Sequence, residues 1–274
     1  MPSLYQCPNS RDLFSVFLGK CNRDSRSVDS TFTGLTILNP FRALARLAAA
    51  QDCFLCAGPS IKPVCAGCDD DLPRPPVWHC PTCALASAGC AVCGRCLSAA
   101  PAYDATVAGL AYAWPATRLV QAFKYERALG LAATLAGYLG DAIDDRRAAR
   151  PDLVIAIPLA PERMHERGYN QSREIARVLA RRHGFVLDGA LALRTRHTPA
   201  QADLPWRERA RNIRGAFAVN RRLDGLSIAV IDDVMTTGAT LNEMATTLKA
   251  SGAARVTNWV AARTLPHVES GLAG

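Results

Sequence analysis

The chain has 274 residues, 49% of them apolar, and a formal net charge of +8 carried largely by arginine. That length supports one sizeable core and a second, small module, and the charge suits an anionic partner such as a phosphorylated metabolite or a nucleic acid. No apolar run approaches the roughly 18 residues of a membrane span: the nearest, "FRALARLAAA" at 41–50, is short and carries Arg42 and Arg46.

Residues 1–51 read as an N-terminal extension without sustained period, closing on a short amphipathic helix near 40–51. They lack the basic start, apolar middle and small-residue cleavage site of a secretory signal, so a cytoplasmic, reducing location is expected. Cys7 and Cys21 have no close partner in sequence and read as inert.

Residues 52–100 hold nine of the 11 cysteines among prolines and glycines. Four C-x-x-C pairs stand out: Cys53/Cys56, Cys65/Cys68, Cys80/Cys83 and Cys93/Cys96. In a reducing compartment such pairs read as metal ligands before disulfides. Each can set two sulfurs about 2.3 Å from one Zn²⁺, and two pairs close a tetrahedral site. Two structural zinc ions are therefore expected, with redox C-x-x-C chemistry as the competing reading. Sequential pairing of the knuckles is favoured, and an interleaved pairing stays open. Cys90 breaks the spacing and reads as a spare, while His79 reads as solvent-facing although a ligand role is open to it.

Residues 101–266 change texture. Apolar runs at 105–113, 152–159, 226–231 and 255–262 alternate with helical patterns at 115–127, 129–147, 168–183 and 238–251. Strands alternating with helices indicate a parallel α/β sheet flanked by helices. Residues 267–274 form a tail.

The strand "DLVIAIP" runs into "LAPERMHERGYNQS", where Arg163, Arg167 and Asn170 lie at a strand-to-helix junction and make a candidate anion site; His165 reads as solvated. From 194 to 222 follow eight arginines against Asp203 and Glu208, interrupted by Pro199, Pro205 and Trp206. Long loops of this kind serve as lids, and arginines with a tryptophan also suit single-stranded nucleic acid. A merely solvated basic surface is the plain alternative.

The most informative stretch is "VIDDVMTTGAT" at 230–240, between the apolar strand "LSIAVI" and a helix with Leu241, Met244, Ala245 and Leu248 at helical spacing. Free N–H groups and the helix dipole favour an anion at such a junction. Thr236, Thr237 and Thr240 add hydroxyls, and Gly238 permits close backbone approach, which makes a cradle for a phosphate monoester. Asp232 and Asp233 would repel that phosphate but suit the vicinal hydroxyls of an attached ribose. A chance acid pair at a helix cap and an aspartate-phosphorylation site are the alternatives. No lysine follows the glycine as in a P-loop.

The stretch resembles the phosphoribosyl-pyrophosphate (PRPP) motif of type I phosphoribosyltransferases. Together with "RGYNQS", "TPAQADLPWRERARNIRGAF" and "LVQAFKYERALGLAATLAGYLG", it makes the chain similar to the ComF/GntX family over roughly residues 53–264. The resemblance implies a type I phosphoribosyltransferase-like sheet behind a double zinc ribbon. It implies that Asp232 and Asp233 bind ribose hydroxyls and that the loop of Val234, Met235, Thr236, Thr237, Gly238, Ala239 and Thr240 binds the 5′-phosphate. Arg163, Arg167 and Asn170 take the pyrophosphate end, with Mg²⁺ carried by the pyrophosphate. Lys124, Gln201, Arg207, Arg211 and Asn212 match further motif positions. The activity implied is phosphoribosyl transfer to an acceptor, linked to competence and DNA uptake. The partners implied are PRPP or ribose 5-phosphate, single-stranded DNA and proteins of the competence machinery. A DNA-handling protein that keeps the PRPP site for regulation, or as a vestige, is the alternative.

Overall fold

The computed structural model describes residues 51–195 and 213–266. In chain order the elements are β1 (Gln51–Asp52), β2 (Pro59–Ser60), α1 (Ala66–Asp70), α2 (Gly94–Ser98), β3 (Ala105–Ala111), α3 (Ala116–Tyr125), α4 (Leu131–Asp145), β4 (Leu153–Ala156) and α5 (Pro161–Arg167). There follow α6 (Gln171–His183), β5 (Ala192–Arg194), β6 (Phe217–Val219), β7 (Ser227–Met235), α7 (Ala239–Ala250) and β8 (Arg255–Arg263).

A four-stranded sheet in the order β3-β8-β7-β4 forms the centre, with every pairing parallel. The expected class is thus what the chain adopts: a parallel sheet flanked by helices and preceded by a Cys-rich module. Parallel strands are covered on both faces, and β3 accordingly is buried along its whole length. On one face Leu119, Val120 and Phe123 of α3, Leu135 and Leu139 of α4 and Ile175 and Leu179 of α6 pack with Ala229, Ile231 and Trp259. On the other, Leu241, Met244 and Leu248 of α7 pack with Ile228, Val230, Val256 and Val260, together with Phe217 of β6.

Because successive strand residues face opposite ways, Ala229 and Ile231 of β7 face α3, α4 and α6, and Ile228 and Val230 face α7. The chain leaves β4 toward one face, through α6, and leaves β7 toward the other, through α7. Their divergence opens a crevice at the carboxyl ends of these neighbouring strands, where open α/β sheets receive ligands.

Four elements depart from the expected ones. β7 runs past Ile231 to Met235, because Asp232 and Val234 stay in register with Val260 and Ala262 of β8. β4 is shorter than its apolar run and ends before Pro158, which has no N–H for the ladder. "PERMHER" forms a short helix of its own ahead of the helix expected from 168, with proline in its first turn and the left-handed Gly168 at its end. The arginine-rich stretch is paired at its described ends, Arg194 opposite Phe217 and Leu193 opposite Ala218, in an antiparallel ribbon.

The Cys-rich module has few buried apolar residues, and three of them are shared with the larger domain. Val64 and Leu72 belong to the core beneath α3 and α4, and Ala84 belongs to the core on the α7 side.

Gly109 in β3 shows how closely the layers approach. A Cβ there would stand 2.8 Å from the Leu139 amide nitrogen and 3.0 Å from the Tyr138 carbonyl carbon. Helix backbone cannot swing aside as a side chain does, so Gly109→Ala is expected to destabilise the protein by about 1–3 kcal/mol. Urea denaturation measures this, and an unchanged midpoint would contradict the packing described.

Candidate functional site

Asp232 and Asp233 lie near the carboxyl end of β7 and are fixed by different helices. The Ser172 hydroxyl at the start of α6 donates to Asp232 Oδ1 at 3.0 Å, and the Asp233 N–H donates to the same oxygen at 2.8 Å. Asp233 is only 8% exposed, and its Oδ1 lies 3.1 Å from Lys124 Nζ of α3. Desolvation and the neighbouring Asp233 charge push the Asp232 carboxyl up to about 7, against the opposing pull of Lys124 and its two donors. Two adjacent carboxylates with a single nearby ammonium resist full ionisation near neutrality. Such a pair is costly to hold together, and costly pairs of titratable groups concentrate at functional sites.

Beyond the acids the chain turns into α7. Gly238 caps the helix at φ +83°, and a Cβ on it would meet Met235 Cε at 2.7 Å and Tyr103 Oη at 3.0 Å. Glycine is therefore required on both conformational and steric grounds. Thr236 is exposed, and Thr237 and Thr240 are half-buried. Thr237 Oγ1 accepts from the Ala239 N–H at 3.3 Å. The amides of Thr236, Thr237 and Gly238 make no backbone hydrogen bond among the described residues. A turn with free N–H groups, a glycine and threonine hydroxyls ahead of a 12-residue helix can hold an anion. Val234 packs against the α3/α4 side of the core and so shapes the turn from beneath.

Lys124, Arg163 and Arg167 come together. With Tyr125, Arg127 and Glu166 they line a cavity of about 230 Å³. Arg167 donates to Gln171 Oε1 at 3.1 Å and lies over the Tyr125 ring, 5.4 Å from its centroid. Lys124 joins this cationic cavity to the acid pair through Asp233. Asn170 is engaged locally: its Oδ1 caps α6 by accepting from the Arg173 N–H at 3.2 Å, and its Nδ2 donates to the Ile157 carbonyl at 2.8 Å. His165 is exposed. Gln201, Arg207, Arg211 and Asn212 lie outside the described residues.

Several members of the site lie within the motif stretches of the sequence but are not singled out there by residue type or spacing. Ser172, Tyr125, Arg127 and Glu166 gain their places from folding alone. Arg194, at the end of β5, is pulled below the usual arginine range by burial and by Arg163, against Asp232 and Glu162. A basic side chain at the end of an apolar strand was the one hint in the sequence.

The eight knuckle cysteines form two groups, Cys53/Cys56/Cys65/Cys68 and Cys80/Cys83/Cys93/Cys96, with the sulfurs of each group within 4.8 Å of one another. The sequential pairing is the one adopted. Backbone donors support the sulfurs: the Cys65 N–H points to Cys53 Sγ and the Cys93 N–H to Cys80 Sγ, both at 3.3 Å. Desolvation works against the Cys53 thiolate, but the N–H groups of Cys65, Cys56 and Leu55 outweigh it and bring its pKa down to about 6. Four convergent sulfurs with thiolate-stabilising amides fit a tetrahedral dication. Cys90 stands outside both groups. His79 is neither a ligand nor fully solvent-facing, since it is half-buried with Nδ1 at 2.7 Å from the Pro76 carbonyl oxygen.

Sheet and site define an open α/β protein with a crevice at its strand ends and a cysteine-rich module holding two Cys₄ groups. The chain belongs to the ComF family. It is 36% identical over 221 residues to DNA utilization protein YhgH of Salmonella typhimurium, covering 78% of this chain and 97% of that one. It is 32% identical over 178 residues to competence protein F of Haemophilus influenzae, covering 62% of this chain and 78% of the other. No family model matches the chain. Adenine phosphoribosyltransferase of Thermoanaerobacter pseudethanolicus resembles it with a TM-score of 0.31 at 13% identity, covering 50% of this chain and 83% of that one. A likeness of that size carries no argument about the site.

The raised Asp232 pKa predicts a pH-dependent cost. Its value in the folded chain, about 7, lies above the ordinary 3.8, so the folded state holds the extra proton between them. The cost is fully present above pH 7 and is relieved as pH falls toward 4. Asp232→Asn should therefore stabilise the protein by about 1–3 kcal/mol at pH 8 and by little below pH 5. Urea denaturation at both pH values checks this; equal effects at the two would contradict it.

Proposed function

We propose that the protein binds PRPP, or the ribose 5-phosphate unit within it, together with Mg²⁺, and transfers the phosphoribosyl group to an acceptor. The observation that carries this reading is the position of the acid pair between two anion-seeking surfaces. On one side lie the free amides and threonines of the turn into α7, and on the other the cavity of Lys124, Arg163 and Arg167.

In this reading Val234 to Thr240 receive the 5′-phosphate, and Asp232 and Asp233 accept hydrogen bonds from the ribose hydroxyls. Lys124, Arg163 and Arg167 hold the pyrophosphate, which Mg²⁺ helps to neutralise. The bond from C1′ to the pyrophosphate oxygen breaks with its electron pair leaving on the pyrophosphate, and the acceptor forms the new bond at C1′. Positive charge develops on the sugar, so fixed charges and orientation supply the catalysis. Asn170 acts by holding the start of α6, and with it Ser172. Gln201, Arg207, Arg211 and Asn212 are assigned to the same site through the family motif alone. Zinc is proposed for both Cys₄ groups, in a structural role because each has four protein ligands and no open position. The names of the relatives, DNA utilization protein and competence protein F, support a place for the reaction in DNA uptake beside competence-machinery proteins.

A second reading is favoured by Tyr125, which is 71% exposed at the rim of a cationic cavity. Aromatic and cationic groups so arranged suit single-stranded DNA, with the ribose-phosphate site then serving regulation. Binding of an oligonucleotide would in that case weaken steeply as salt rises, and a flat salt response would rule this reading out.

Calorimetric titration of PRPP with Mg²⁺ tests the ribose-phosphate site on which the transferase reading depends. Micromolar binding to the wild type and none to Asp232→Asn/Asp233→Asn is the expected outcome. A folded wild type that takes up no PRPP would overturn the transferase reading.

A further inference from the structure

Arg263, at the end of β8, is 1% exposed, and no carboxylate lies within ion-pair distance of it among the described residues. Its Nε donates to the Cys83 carbonyl at 2.9 Å. Its Nη1 donates to the Met235 carbonyl at 2.9 Å, to that of Thr264 at 2.8 Å, and to that of Thr236. Arg95 stands between the ligands Cys93 and Cys96, and its Nη2 donates to the Thr237 carbonyl at 3.0 Å. Three consecutive carbonyls before Gly238 are thus drawn toward the second Cys₄ group.

The geometry has a consequence for the other side of the turn. These peptide units are trans, and in a trans peptide the N–H of the next residue points opposite to the carbonyl. Fixing the carbonyls of Met235, Thr236 and Thr237 turns the amides of Thr236, Thr237 and Gly238 away from the cysteines. These are the amides without backbone partners.

The cysteine side is itself anchored to the sheet. The Thr106 N–H donates to the Pro81 carbonyl at 3.0 Å, and its hydroxyl donates to the Thr82 carbonyl at 2.6 Å. A dication held by four thiolates carries a net negative charge, which compensates a buried guanidinium at this place.

We propose that Arg263 and Arg95 are positioning residues that aim the amides of Thr236, Thr237 and Gly238 at the phosphate, so that metal in the second Cys₄ group sets the affinity of the turn for anions. The inference rests on the phosphate reading of the turn and on a metal dication in Cys80/Cys83/Cys93/Cys96.

Arg95 is the residue to change, because it is exposed and its loss spares the core, whereas Arg263 is buried. The full chain with both metals bound would be compared as wild type, Arg95→Ala and Arg95→Lys. Amide hydrogen exchange is read over 235–240, and ribose 5-phosphate affinity by calorimetry. Arg95→Ala should keep its metal content, exchange faster in that segment, and bind ribose 5-phosphate about two- to tenfold more weakly. Arg95→Lys should recover part of the loss, and removing metal from the wild type should speed exchange there further. Unchanged exchange in both Arg95→Ala and the metal-depleted protein would overturn the coupling. A wild type that shows the exchange response but binds no ribose 5-phosphate would leave the coupling standing and overturn the phosphate reading.

Discussion

A buried guanidinium holds this structure together at its most important point. Arg263 closes β8, receives the carboxyl end of β7 and reaches the Cys80–Cys83 knuckle in one set of hydrogen bonds. Leaving such donors without acceptors in the interior costs several kcal/mol. The three segments are therefore fixed relative to one another, and the turn into α7 inherits its shape from them. The cysteine module is thereby part of the wall behind the candidate site.

The acid pair is the counterpart of that constraint. Adjacent carboxylates at the end of a central strand are unfavourable, as the elevated Asp232 shows. Lys124, Ser172 and the Asp233 amide lessen the cost without removing it. Each of these groups comes from a different element, α3, α6 or β7, so the arrangement depends on the whole sheet domain. A ligand presenting hydroxyls to the acids and phosphates to the flanking cations would complete the set of partners on all sides.

Much of this was legible in the sequence because the signals were local. Four C-x-x-C pairs, the apolar strand before Asp232 and the small residues before Leu241 each combine composition with spacing. The end of β7 was not legible: two aspartates look like a loop, and only pairing with β8 carries the strand through them. The short helix from Pro161 was hidden by its charges, and the ribbon at Arg194 by the arginines around it. Lys124 had meaning only through family resemblance, since its contact with Asp233 bridges distant parts of the chain. Arg95 and Arg263 had no signal at all. Their role lies in which carbonyls they reach, and backbone acceptors leave no mark on residue type.

The central claim is that the turn after β7 holds a phosphate while the acids before it hold a ribose. A crystal structure of the protein with ribose 5-phosphate tests it most directly. The account predicts phosphate density against the amides of Thr236 to Gly238 and sugar hydroxyls within hydrogen-bonding distance of Asp232 and Asp233. Phosphate seated among Lys124, Arg163 and Arg167, with the turn empty and the acids untouched, would contradict it.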